Sequence, residues 1–70
     1  MKINSNKFSI DAILMIRLTK DKTPIRIRLN NGAVHDGIIY RSDHKHIQLE
    51  ANDGTIKNIW NQDILSLEVL

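Results

Sequence analysis

From Pro24 onward the chain alternates between apolar and polar positions. Ile25, Ile27 and Leu29 point one way, while Arg26, Arg28 and Asn30 point the other. This is the period-two pattern of a strand with one buried face. The run ends at Asn30-Asn31-Gly32, a hairpin signal whose residues tolerate the positive φ of tight turns. A second strand, Ala33 to Ser42, carries Gly37 near its middle, and an isolated glycine inside a strand marks a bulge or a sharp bend. Asp43 punctuates its exit, and His46-Ile47-Gln48-Leu49 resumes the alternation. Asp53-Gly54 is a further hairpin signal, followed by a strand over Thr55 to Trp60 with Ile56 and Trp60 on one face. Asn61-Gln62-Asp63 reads as a tight polar corner. Ile64 to Leu70 closes the chain, with Leu65 and Leu67 set against Ser66 and Glu68.

Upstream the period changes. Residues 1–7 are polar and are expected to fray. Phe8 to Lys20 reads as a helix, with Ser9 to cap its first turn, Asp11 favourable to its dipole, and Arg17 and Lys20 near its end. Ile10, Ile13, Leu14 and Leu18 form a stripe that Ala12, Met15 and Ile16 widen. A short helix so apolar lies across a sheet or is shared with a partner. The polar run from Thr19 to Thr23 stops it before Pro24, since the residue preceding proline disfavours helix. The pattern therefore predicts a mainly β domain spanning 1–70. It has one N-terminal α-helix and five short strands in a strongly bent antiparallel sheet or small barrel.

Length sharpens this picture. A chain of 70 residues without cysteine has a marginal core and no disulfide framework to support it, which favours association with other subunits. The net charge is only +2, yet residues 1–35 carry +5 and residues 36–70 carry −3, an asymmetry that fits a basic face meeting a polyanion. Ile10 to Ile16 is far shorter than the roughly 18–20 residues of a membrane span, and the start lacks the layout of a signal peptide. The expected location is cytoplasmic, with no membrane insertion. No Ser/His/acid or Cys/His constellation and no phosphate-cradling glycine loop is present, so no catalytic residue, metal site or cofactor is expected and an enzyme is not. His44 and His46 share a strand face but lack a third ligand.

A helix followed by five strands, the second bent at a glycine, resembles the Sm-like family and, within it, the bacterial RNA chaperone Hfq. The residues that carry the resemblance are Lys20-Asp21-Lys22-Thr23-Pro24, Ile27, Leu29, Asn31-Gly32, Gly37, Ile39 and Asp43, followed by Ile47, Leu49, Trp60 and Ile64. The likeness spans about Phe8 to Val69, and the segment from the helix to Pro24 is most similar to the divergent cyanobacterial branch. It implies an Sm-like fold and post-transcriptional regulation by binding single-stranded RNA. It also implies a homo-oligomeric ring, a hexamer, in which the fourth strand of one subunit pairs with the fifth of the next. Such a ring supplies stability and removes exposed sheet edges.

The pockets depart from the family. Where it stacks a base on an aromatic two residues after the Asp, this chain has Lys45; Asn61-Gln62 replaces a Lys-His pair, and Asp11 a glutamine. The arginine-rich rim becomes Thr19, Lys20 and Lys22, and an aromatic of the first strand becomes Arg28. The candidate RNA-binding residues are therefore Lys45, His44, Asn61, Gln62, Lys20, Lys22, Arg26, Arg28 and Gly32, with Trp60 and Leu67 at the subunit interface. The alternative is an Sm-like protein-interaction ring, or a regulator of the Rho-antiterminator type acting on protein partners with weak or no RNA binding.

Overall fold

A computed structural model describes residues 2–4 and 12–70. The elements run β1 (Lys2–Asn4), α1 (Ala12–Lys20), β2 (Ile25–Leu29), β3 (Val34–Ser42), β4 (His46–Glu50), β5 (Ile56–Trp60), a single turn of 3-10 helix at Asn61–Asp63, and β6 (Ile64–Val69). The strands form one sheet in the order β1-β6-β2-β3-β4-β5, with every neighbouring pair antiparallel. The expected helix start at Phe8, its Ser9 cap and Asp11 lie outside the described residues.

Two hairpins built on one rule set the register. In the β2–β3 loop the Leu29 N–H donates to the Ala33 carbonyl, and in the β4–β5 loop the Ala51 N–H donates to the Thr55 carbonyl. Each loop is therefore three residues long, Asn30-Asn31-Gly32 and Asn52-Asp53-Gly54. The central Asn31 or Asp53 accepts the N–H two residues on, at 2.9 Å in both cases. Within these two loops only the glycines, at φ +90 and +86, are left-handed. This is the three-residue hairpin that ends in a left-handed residue; of Asn31-Gly32, only the glycine uses the positive φ that both residues tolerate.

β3 is where the sheet folds over. Residues up to Gly37 pair with β2, and residues from Ile38 pair with β4. A Cβ at Gly37 would collide with the backbone carbonyl of Glu50, so glycine here lets the end of β4 close onto the bend. The bulge itself lies further along, at Tyr40, where the β3–β4 register skips a residue. A second register skip, at Leu65, resets β6. As a result Ile64, Ser66 and Leu67 are buried while Leu65 is 43% exposed, and the simple alternation expected for this strand fails.

The core lies inside the bend, built from Ile25, Ile27, Ile39, Ile47, Leu49, Ile59, Ile64 and Leu67 and closed by Met15 and Leu18 of α1. Burying an Ile or Leu side chain contributes about 1.5–3 kcal/mol. The helix stripe is narrower than the pattern predicts. Ile13 and Ile16 are 75% and 67% exposed, and Leu14 packs on the core's margin.

The sheet is strongly bent but does not close into a barrel, because β5 and β1 stand at opposite ends of the strand order. Residues 2–4, expected to fray, form a strand against β6. The reason is physical: an open edge offers N–H and C=O groups that any adjacent extended segment can satisfy.

Candidate nucleic-acid interface

The structure brings some of the candidate residues together and separates others. Asp43 and His46 close a two-residue β3–β4 turn through the Asp43 N–H and the His46 carbonyl at 2.9 Å, which puts His44 and Lys45 at its tip. Asp43 Oδ1 braces this turn. It accepts the Lys45 N–H at 2.7 Å, the His46 N–H at 2.9 Å and His46 Nδ1 at 2.9 Å. The hydrogen bond from the His46 ring, then those from the two backbone amides, hold the Asp43 carboxyl well below the ordinary carboxylate range.

The His46 ring in turn stacks on Trp60, its register partner on β5, with ring centroids 5.0 Å apart and planes 13° from parallel. Trp60 is half exposed. The Asn61 N–H donates to the Lys45 carbonyl at 2.7 Å and ties the 3-10 corner to the turn. His44, Lys45, Trp60, Asn61 and Gln62 thus line one open cleft of about 350 Å³. The Asn61 Oδ1 atom is buried there without a hydrogen-bond partner.

The β2–β3 turn adjoins the same corner. Asn30 N–H donates to the Asp63 carbonyl at 2.9 Å, and Asn30 Nδ2 donates to the Gln62 carbonyl at 3.2 Å, so Gly32 sits in the loop beside Gln62.

Arg26 and Arg28 belong to a different region. Arg26 donates from Nε and Nη2 to the two carboxylate oxygens of Asp36, at 2.7 and 2.8 Å, and this hydrogen bonding lowers the Asp36 pKa. Arg28 meets Glu68 at 3.4 Å. The acids come from β3 and β6, so part of the charge asymmetry along the sequence is neutralised on folding.

Lys20 and Lys22 lie apart from both regions, at the end of α1. Lys22 adopts a left-handed φ of 52 and lines a groove of about 560 Å³ together with Tyr40 and Glu50, so cation and acid share it. Leu67 is fully buried in its own chain's core, and its backbone is flanked on both sides, by Ile27 of β2 and Ile3 of β1, so within the subunit it has no open side toward a second copy.

The His46–Trp60 platform is the feature that residue-by-residue reading missed. The signal was present: a β4–β5 hairpin centred on Asp53 pairs residue 46 with residue 60. Among the described residues, no three His, Cys, Asp or Glu side chains gather as a metal site, and no helix is long and apolar enough to cross a membrane.

A helix in front of a strongly bent antiparallel sheet, folded over at the middle of its long strand, is an Sm-like fold of the Hfq type. Superposition on a 1.55 Å crystal structure of the pleiotropic translational regulator Hfq gives a TM-score of 0.71 at 19% identity, covering 76% of this chain and 87% of the other. No protein-family model and no curated protein matches the sequence. The likeness is one of fold.

Proposed function

We propose that the chain is the subunit of an Hfq-like homo-oligomeric ring that binds single-stranded RNA through altered pockets, as a cytoplasmic post-transcriptional regulator. The observation that carries this reading is the cleft of His44, Lys45, Trp60, Asn61 and Gln62 beside the open edge of β5. Pairing the free edge of β5 with the edge of β6 that β1 covers in the single chain makes a head-to-tail contact, and such contacts form a ring when the rotation between subunits closes. The exposed Ile56 on β5, with Leu65 on β6, adds apolar area near that contact. A ring of six repeats the cleft around one axis, so modest single-site affinity becomes useful avidity.

Each cleft residue has a role. Trp60, backed by His46, offers a stacking surface worth about 1–3 kcal/mol per base, independent of sequence. Gln62 offers an amide donor and acceptor to a base edge, beside Asn61, whose Oδ1 is buried. Lys45 and His44 face the phosphates, while Lys20 and Lys22, apart from the cleft at the end of α1, meet RNA only where it runs beyond the cleft. This is a binding module, with no catalytic role assigned.

A second reading is favoured by Arg26 and Arg28, whose charges are already paired, and by exposed Ile13 and Ile16 on α1. On that reading the ring binds protein, and RNA only weakly. Light scattering combined with salt-titrated fluorescence anisotropy on oligo-U and oligo-A separates the two. A ring with weak, salt-sensitive binding and little preference for uridine supports the first reading. A ring that binds neither oligomer at low salt supports the second. A stable monomer at micromolar concentration removes the ring and leaves the Rho-antiterminator type.

A further inference from the structure

The outer edge of β6 is already occupied. β2 pairs with one side of β6 along its length, and β1 pairs with the other, setting Lys2 opposite Glu68, Ile3 opposite Leu67 and Asn4 opposite Ser66. Any strand of a second copy that adds to β6 must take the backbone groups that β1 now holds. On the ring reading above, on which this inference rests, that strand is β5 of the neighbouring subunit.

The two competitors are unequal. β1 has three residues, β5 has five, and β6 offers six. Ile64, Leu65 and Val69 have no partner in β1, so an incoming strand can start pairing at either uncovered end and then displace the cover.

We propose that β1 is a displaceable cover on the assembly edge. It shields the backbone groups of β6 in the free subunit, blocking indiscriminate edge-to-edge addition, and it is peeled away when the ring closes. Because only the uncovered form is competent to assemble, the covered fraction raises the concentration at which rings form. A ladder of three residues provides few net hydrogen bonds, which suits a cover that must yield to a longer strand.

The test is a dilution series followed by sedimentation velocity on the full chain and three variants. Deleting residues 1–6, or replacing the cover with Lys2→Gly, Ile3→Gly and Asn4→Gly to weaken its strand preference, should lower the assembly midpoint by about tenfold. Joining Lys2→Cys to Glu68→Cys locks the cover in place. Facing positions on antiparallel strands lie within disulfide reach, and the chain has no other cysteine. The oxidised form should stay monomeric, and reduction should restore the ring. Equal midpoints for full chain and both cover-weakened variants, or a ring that forms with the lock oxidised, overturns the cover and leaves the ring standing. Loss of assembly only in the cover-weakened variants also overturns it, since β1 would then support the ring. No assembly in any form sinks the ring reading and the cover with it.

Discussion

The outer face of β2 and the turn region at the β5 end of the sheet both carry cationic and polar side chains, but the fold leaves them in different states. On β2, Arg26 and Arg28 each reach a carboxylate on an adjacent strand. At the β5 end, Lys45, Asn61 and Gln62 surround an open cleft, and the Asp43 carboxylate is engaged in bracing the backbone of its own turn. Exposed ion pairs contribute little to stability, typically below about 1 kcal/mol, yet they spend the charges that a polyanion would otherwise meet. The lesson is that a count of cations along the chain overstates the β2 face and understates the cleft.

Both regions hang on the bend of β3, so breaking the bend should erase the contrast between them. Gly37→Val forces a side chain into the Glu50 carbonyl. The only relief is to pull β4 away from β3. We expect a loss of about 3 kcal/mol or more, read as a collapse of the denaturant midpoint along with both RNA binding and assembly. A variant that melts like the parent would mean that the bend does not depend on close approach at this residue.

The next largest effect should fall on the cleft alone. Trp60→Ala removes the stacking surface and should weaken oligonucleotide binding about 10- to 100-fold. The side chain is half exposed, so monomer stability should change far less. If Trp60→Ala instead abolishes assembly while the residual monomer still binds RNA, the indole belongs to the subunit contact and the platform reading falls.

Charge-by-charge substitution sharpens the comparison directly. Lys45→Ala should reduce affinity several-fold and lower the slope of log affinity against log salt by about one per binding site. Arg26→Ala and Arg28→Ala should each change affinity by about twofold or less, because the parent residues already face Asp36 and Glu68. Equal losses from all three would mean that RNA opens the ion pairs, and that the β2 face and the cleft act as one surface.

How much of this was legible in the sequence differs between the two regions. The strands, the helix and the bend followed from period, glycine and turn chemistry, because each depends on residues close together in the chain. The strand at Lys2–Asn4 did not, since its pairing with β6 spans nearly the whole chain and its residues carry no strand signal of their own. Register skips at Tyr40 and Leu65 were invisible for a similar reason: they arise from closing the fold, not from local preference. For the candidate site, His44, Lys45, Asn61 and Gln62 were named from the sequence as polar candidates and the fold brings them to one cleft, but what supports them was not foreseen. The stacking of His46 on Trp60 requires the β4–β5 register, and the pairing of Arg26 with Asp36 requires the β2–β3 register. Both registers could have been worked out from the two Asn-x-Gly loops.

The smallest expected effect concerns acid, and it tests whether the cleft is braced as described. The Asp43 carboxyl titrates well below its ordinary value because it accepts hydrogen bonds from the His46 ring and from two backbone amides. A carboxylate whose folded pKa is depressed contributes stability that is fully present above the unfolded value, about 3.9, and is lost as pH falls through the folded value. The β3–β4 turn should therefore hold from neutral pH down through the usual carboxylate range and loosen only below it. The chain's one tryptophan is Trp60, stacked on the ring that Asp43 holds, so its fluorescence reports the loosening. Emission should change little on account of Asp43 between pH 7 and about pH 4, then shift under stronger acid. In Asp43→Asn the bond to the His46 ring is weakened at every pH, so that low-pH shift should shrink and the neutral spectrum should already resemble the acid one. A parent spectrum that titrates with a midpoint near 4, or an Asp43→Asn spectrum identical to the parent at neutral pH, would show that Asp43 does not position His46 under Trp60.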